Sequence, residues 1–141
     1  MLLVKTKISL SEIHGIGLFA DEFIPKGSVV WKYTPELDRV FTEDEMQGMT
    51  SLHRQFLETY CFKYHGKYYL CVDDARFMNH STKPNCIDIG QDEIKDNDMG
   101  YTVTKADIQA GEELTCDYSF FGYTDEDLKF NLDGLEASVE R

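Results

Sequence analysis

Short apolar and β-branched runs, each closed off by a glycine or proline turn, dominate this sequence and leave little room for long helices. Val29-Val30-Trp31-Lys32-Tyr33 follows the turn Ile24-Pro25-Lys26-Gly27 and reads as a strand. Cys61-Phe62-Lys63-Tyr64 and Lys67-Tyr68-Tyr69-Leu70-Cys71 flank His65-Gly66, a connection suited to a β-hairpin. Residues 100–105 and 113–117 predict two more short strands. Thr42-Glu43-Asp44-Glu45 is a capping box, and Met46, Met49, Leu52 and Phe56 continue it at near-helical spacing. Gly48 weakens that helix by about 1 kcal/mol relative to alanine. A second capping box, Thr124-Asp125-Glu126-Asp127, precedes a weaker apolar pattern at Leu128, Leu132, Leu135 and Val139. Residues 88–98 are polar and acid-rich and predict an exposed loop. The expected class is a β-rich α+β domain with one or two helices.

The chain has 141 residues, enough for one domain with its own hydrophobic core. Its 26 acidic residues against 14 lysines and arginines give a net charge of -12. Such a field repels nucleic acid and attracts basic partners. No window approaches the roughly 20 apolar residues of a membrane helix. Residues 1–13 carry early lysines and no long apolar run, so no signal peptide is expected. The cysteines are Cys61, Cys71, Cys86 and Cys116, none of them in a C-x2-C pair. That dispersion predicts no zinc or other metal site and suits reduced thiols in a cytoplasmic or nuclear-type compartment, while leaving two disulfides open.

Three segments offer chemistry. Gly15-Ile16-Gly17-Leu18-Phe19-Ala20 matches a dinucleotide-binding pattern, with Glu36 about 20 residues on. That motif needs a helix starting at the glycines, so that its amides face a pyrophosphate. Pro25 and Gly27 arrive too soon for a helix of roughly 11 residues, which leaves a glycine turn, plain or open to close ligand approach. Arg76-Phe77-Met78-Asn79-His80-Ser81 runs into Thr82-Lys83-Pro84-Asn85-Cys86, a polar loop closed by a proline turn. Asn79 has donors and acceptors for a small polar ligand, although asparagine and serine are also ordinary turn residues. Ala110-Gly111-Glu112-Glu113-Leu114-Thr115-Cys116-Asp117-Tyr118 turns at Gly111 and enters a strand, where alternation puts Leu114, Cys116 and Tyr118 on one face. Taken alone, Tyr118 reads as a core tyrosine with its hydroxyl on a backbone carbonyl.

In this order the three blocks resemble the SET-domain lysine methyltransferases, over roughly residues 3–120. The resemblance implies small twisted β-sheets and a C-terminal pseudoknot, with the SET domain over residues 1–120 and a segment over 121–141 that packs on or closes the active site. It implies a protein-lysine N-methyltransferase that uses S-adenosylmethionine, releases S-adenosylhomocysteine and needs no metal. In that role Gly15, Ile16, Gly17 and Leu18 would contact the cofactor's methionine part. Arg76, Asn79 and His80 would hold its polar groups and adenosine. Tyr118 would be catalytic and also border the cofactor, and Tyr33 and Cys116 would line the lysine channel. Cysteine is small at a position that bears on product multiplicity in this family, so di- or trimethylation is expected. No cysteine follows Tyr118, so the family's cysteine-rich zinc module is missing from this sequence, and Phe120, Phe121 and Tyr123 are the candidates to close the pocket. The implied partner is a protein with a lysine in a basic segment. The rival is a non-catalytic SET-like module that binds a protein tail.

Overall fold

The computed structural model describes residues 1–64, 66–89 and 100–118. Strands β1 (Thr6–Leu10) and β2 (Ile16–Ala20) form an antiparallel hairpin in which Leu10 faces Ile16 and Thr6 faces Ala20. Only Gly15, at φ 45°, belongs to the predicted glycine turn. The residues after it are extended, so no helix begins there and the dinucleotide pattern has no structural counterpart. β3 (Val29–Lys32), β9 (Tyr101–Thr104) and β8 (Cys86–Ile89) form an antiparallel sheet in the order β3-β9-β8. The turn before β3 closes on Gly27 at φ 83°, as its sequence predicts. β4 (Arg39–Thr42), β6 (Lys67–Leu70) and β5 (Phe62–Tyr64) form a second antiparallel sheet, and β5 and β6 are the expected hairpin.

The predicted single helix is two. Thr42 caps α1 (Glu43–Gln47) by accepting from the Glu45 N–H, and the helix ends at Gly48. Thr50 then caps α2 (Ser51–Tyr60) by accepting from the His53 N–H. The break resets the helical phase. Met46 and Leu57 are buried with Cys61, whereas Leu52 and Phe56 are exposed, against the expected face. Residues 88–98 also need correction at their start, because Asp88 and Ile89 belong to β8 rather than to an exposed loop. The second capping box lies outside the described residues.

The main core gathers Leu18 and Ala20 from β2, Val30 from β3, Cys86 from β8 and Cys116 from β10 (Thr115–Cys116), with Ile24, Met78, Ile108 and Leu114 from the connections. Each large aliphatic buried here contributes roughly 1.5–3 kcal/mol. Residues 111–116 run through the middle of this cluster. The Gly111 and Leu114 amides donate to the Ala20 and Leu18 carbonyls, both at 2.8 Å, and so dock the segment on β2. The ladder of β10 itself is shorter than the predicted strand and runs parallel to β7 (Asn79–His80), Thr115 facing Asn79 and Cys116 facing His80.

The connection from β7 to β8 closes over this segment through Asn85. Its Nδ2 donates to the Glu113 carbonyl at 2.8 Å, and its Oδ1 accepts from the Thr115 amide at 2.9 Å. The Asn85 amide donates to Thr115 Oγ1 at 3.2 Å. One carboxamide therefore satisfies backbone groups that two short strands leave unpaired. This is the pseudoknot: the late segment 111–116 is held between β2 and β7, beneath the 81–85 connection. Asn85→Ala removes both carboxamide bonds and leaves a buried carbonyl and amide without partners. Urea unfolding of this variant is expected to show a loss of roughly 2–4 kcal/mol. A loss below about 0.5 kcal/mol would mean that the ladder alone holds the segment.

Candidate functional site

The first part of the site is the turn between β1 and β2. Ser11 Oγ accepts from the amides of Ile13 (2.9 Å) and His14 (3.2 Å), and the Ser11 amide donates to the Gly15 carbonyl at 2.8 Å. The Ser11 hydroxyl also lies 2.8 Å from each oxygen of the Glu113 carboxylate. Asn79 Nδ2 reaches Glu113 Oε1 at 2.8 Å, the His14 carbonyl at 3.0 Å, and the Ile16 carbonyl and Ser11 Oγ at 3.2 Å. Two amide hydrogens are thus shared among four acceptors. The side chain of Asn79 ties β7 to the turn. Gly17 leaves room for the same cluster, because a Cβ there would sit 2.0 Å from Glu113 Oε1 and displace the carboxylate. Leu18 is wholly buried in the core, so of the predicted turn residues Gly15 and half-exposed Ile16 are the ones left at the surface.

The second part surrounds Tyr118. Its hydroxyl donates to the Met78 carbonyl at 2.5 Å, and its amide donates to His80 Nδ1 at 3.1 Å. The Asp117 carboxylate lies 3.8 Å from the same Nδ1. His80 and Tyr118 pack with ring centroids 5.3 Å apart. The core reading of Tyr118, hydroxyl on a carbonyl, is literally present, but the residue is only partly buried, at the edge of the main core.

Arg76 lies in the 3₁₀ turn Asp74–Phe77, its guanidinium 5.1 Å from the Phe77 ring centroid and 5.5 Å from that of Tyr60. Its Nε is buried without a hydrogen-bond partner among the described residues. A stacked guanidinium with an unmet donor fits a carboxylate ligand, and the exposed turn at Gly15 fits close approach by a small molecule. These residues are compatible with the polar ends of S-adenosylmethionine. Among the described residues, no group of three histidine, cysteine, aspartate or glutamate side chains is arranged to hold a metal ion.

Tyr33 follows the last residue of β3, its amide bonded to the Gly100 carbonyl at 3.3 Å and its ring 5.9 Å from Tyr69 of β6, edge to face. Burial, then Asp38 and Glu36, push its hydroxyl pKa up. Cys116 is buried, and burial drives its thiol well above the usual range. Beside it is Asp88, which sequence reasoning assigned to an exposed loop. Burial, with Asp117 adding to it and hydrogen bonds from Thr102 and Cys116 opposing it, pushes its carboxyl up to about 6. Phe120, Phe121 and Tyr123 lie outside the described residues. Ser11, Asn85 and Glu113 were not predicted as site residues. Asn85 and Glu113 stand inside quoted motifs, and nothing local distinguishes Ser11 from any turn serine.

Residues 15–119 match the sequence profile of the SET domain. The chain is 35% identical over 127 residues to a histone-lysine N-methyltransferase, H3 lysine-4 specific, of Mycosarcoma maydis, covering 86% of this chain and 8% of that protein. It is 37% identical over 117 residues to the protein of the same description from Schizosaccharomyces pombe, covering 78% and 12%. It therefore spans about a tenth of the length of these curated relatives. Among solved structures, a putative histone methyltransferase of Plasmodium falciparum shares the fold at TM-score 0.58 and 19% identity, over 83% of this chain and 95% of that one. A humanized mutant of the Chaetomium thermophilum Polycomb Repressive Complex 2, bound to an inhibitor, matches at TM-score 0.59 and 25% identity, over 82% and 15%.

Asp88 has a measurable signature. A carboxyl raised in the folded state binds its proton more tightly there, so ionisation costs stability as pH climbs from the unfolded value near 4 through about 6. Asp88→Asn removes this cost. Its stability relative to the unaltered protein is expected to improve between pH 4.5 and pH 7.5 in urea titrations, and a difference independent of pH would show that the carboxyl is not raised.

Proposed function

The chain belongs to the SET-domain family, and from that premise we propose that it is a protein-lysine N-methyltransferase. S-adenosylmethionine, when bound, supplies an electrophilic methyl carbon on a cationic sulfur. The observation that carries this reading is the pairing of the Tyr118 hydroxyl with the Met78 carbonyl, one residue before Asn79. Two oxygens so close form a polar wall against which a polarised methyl group, or the hydrogens of an amine, can be oriented. His80 holds the Tyr118 backbone, and Asn79, Ser11 and Glu113 hold the turn on which the cofactor's methionine end would rest. Arg76 offers its unmet Nε–H to the cofactor's carboxylate.

The amine must reach this wall neutral. Lysine ionises near 10.4, so losing its proton at neutral pH costs about 4 kcal/mol. A second cation about 4 Å away, at an effective dielectric of about 20, offsets a similar amount. Tyr33 and Cys116 would line the approach and add desolvation in the same direction. Phe120, Phe121 and Tyr123 would close the pocket, and truncation after Ser119 is expected to weaken cofactor binding more than it lowers the melting temperature. The named relatives are histone methyltransferases. That supports a basic, lysine-bearing protein segment as substrate, in keeping with the charge of -12. The four buried thiols, none in a disulfide, suit a nuclear-type reducing compartment. Direct nucleic-acid or membrane binding forms no part of this reading.

The test is transfer of labelled methyl from S-adenosylmethionine to recombinant histone H3 and to a mixed lysine-rich protein pool. Tyr118→Phe is expected to keep its fold and lose at least roughly 10²-fold in turnover. Full activity in a folded Tyr118→Phe variant would remove the role of this hydroxyl. Binding without transfer by the unaltered protein would favour the non-catalytic module.

A further inference from the structure

Glu113 belongs to the threaded segment, but its carboxylate bonds to the β1–β2 turn. The backbone here is fixed by the pseudoknot: the Glu113 carbonyl accepts from Asn85 Nδ2, and the Leu114 amide donates to the Leu18 carbonyl, both at 2.8 Å. The side chain packs over Gly17, where a Cβ would sit 2.0 Å from Oε1, and ends at Ser11 and Asn79. Ser11 organises the turn. Its amide donates to the Gly15 carbonyl, and its Oγ accepts from the Ile13 and His14 amides and from Asn79 Nδ2. The single hydroxyl proton of Ser11 then has the Glu113 carboxylate as its acceptor, 2.8 Å from each oxygen. Hydrogen bonds to a carboxylate are among the stronger ones. One bond between residues 102 apart in sequence thus joins the turn to the threaded segment, and a change in either is felt in the other.

Resting on the reading above, in which the turn at Gly15 receives the cofactor, we propose that Glu113 is a positioning residue that acts through Ser11, so that cofactor binding and closure of the pseudoknot are thermodynamically linked. A ligand held against Gly15 and Ile16 selects one shape of the turn. In that shape the Ser11 hydroxyl rests on Glu113, and Glu113 is in place only when residues 111–116 are threaded. A cofactor that favours the formed turn therefore also favours the threaded segment. By reciprocity, threading raises affinity for the cofactor. Tyr118 stands two residues beyond Cys116, the last residue of β10, so cofactor occupancy also steadies the stretch that carries the Tyr118 hydroxyl. Neither Ser11 nor Glu113 needs to touch the cofactor for this, because each acts on it through the backbone of the turn.

The experiment has two arms, both on the full chain with S-adenosylhomocysteine as the probe. In the first, amide hydrogen exchange of the unaltered protein is followed with and without the probe. The Gly111 and Leu114 amides dock the segment on β2, whereas the Cys61 amide bonds to the Leu57 carbonyl at the end of α2. The probe is expected to slow the first two by at least roughly tenfold more than the third. Equal slowing at all three, or slowing at none, overturns the proposal. This arm reads the unaltered protein alone, so it stands however well a variant folds. In the second, calorimetry gives the Kd of the probe for Ser11→Ala, Glu113→Gln and the double variant. Each single variant is expected to bind at least roughly tenfold more weakly, and the double variant to lie within roughly twofold of the weaker single one. Losses that multiply, or single variants that bind as the unaltered protein does, overturn the proposal. In methyl transfer to histone H3, Ser11→Ala is expected to raise KM for S-adenosylmethionine while kcat changes less than roughly threefold. A fall in kcat at unchanged KM overturns the positioning role. A probe that does not bind the unaltered protein removes this proposal together with the cofactor it rests on. Binding with the expected cycle, but no methyl transfer to any protein, removes the reaction proposed above and leaves the linkage standing.

Discussion

The fold depends on threading one short segment through the rest, and side-chain amides make that possible. Residues 111–116 are held by β2 on one side and β7 on the other, each contact only a few residues long. Ladders this short leave buried backbone groups unmet. Asn85 meets them from the connection above. Asn79 and Glu113 carry the same network outward to the Ser11 turn. Closing the pseudoknot and shaping the turn proposed for cofactor contact are therefore one event, because Glu113 takes part in both. Gly17 is part of that event too, since any side chain there would evict the Glu113 carboxylate.

Burial and pairing divide the polar groups of this region into two kinds. Asn79, Asn85 and Glu113 are well partnered and act as structure. Among the described residues, Arg76 Nε is buried without a hydrogen-bond partner, as is Trp31 Nε1. Unmet buried polar atoms are expensive, and they concentrate where a ligand completes the hydrogen-bonding pattern. Arg76 stands in the 3₁₀ turn before β7, on the chain leading into the Asn79 block.

The sequence made the elements legible where chemistry is local. The hairpin around Gly66, the turn at Gly27, the Thr42 cap and the strand at residues 101–104 each rest on a few adjacent residues, and each is present. The helix after Thr42 is not legible as two, because the apolar periodicity runs on across Gly48 into a segment with its own cap at Thr50. Strand β1 leaves little local signal: Ile8 and Leu10 alternate with polar residues but remain exposed, and the glycines of its partner strand point to a turn. Asp88 reads as loop because an acid-rich stretch follows it, whereas Ile87 and Ile89 around it belong to the end of β8.

By itself, then, the sequence determined the strand-rich class, the turns and the identity of the blocks around Asn79 and Tyr118, since residue type and order carry that information. Only the tertiary structure decided what those residues do. The Asn79 amide ties β7 to the turn, Glu113 anchors it, and Asp88 pairs across the sheet with Thr102. The physical reason is separation along the chain. Asn79 lies 65 residues from His14, and Glu113 lies 102 residues from Ser11. No local pattern encodes a contact that exists only once residues 111–116 have passed beneath the connection pinned by Asn85.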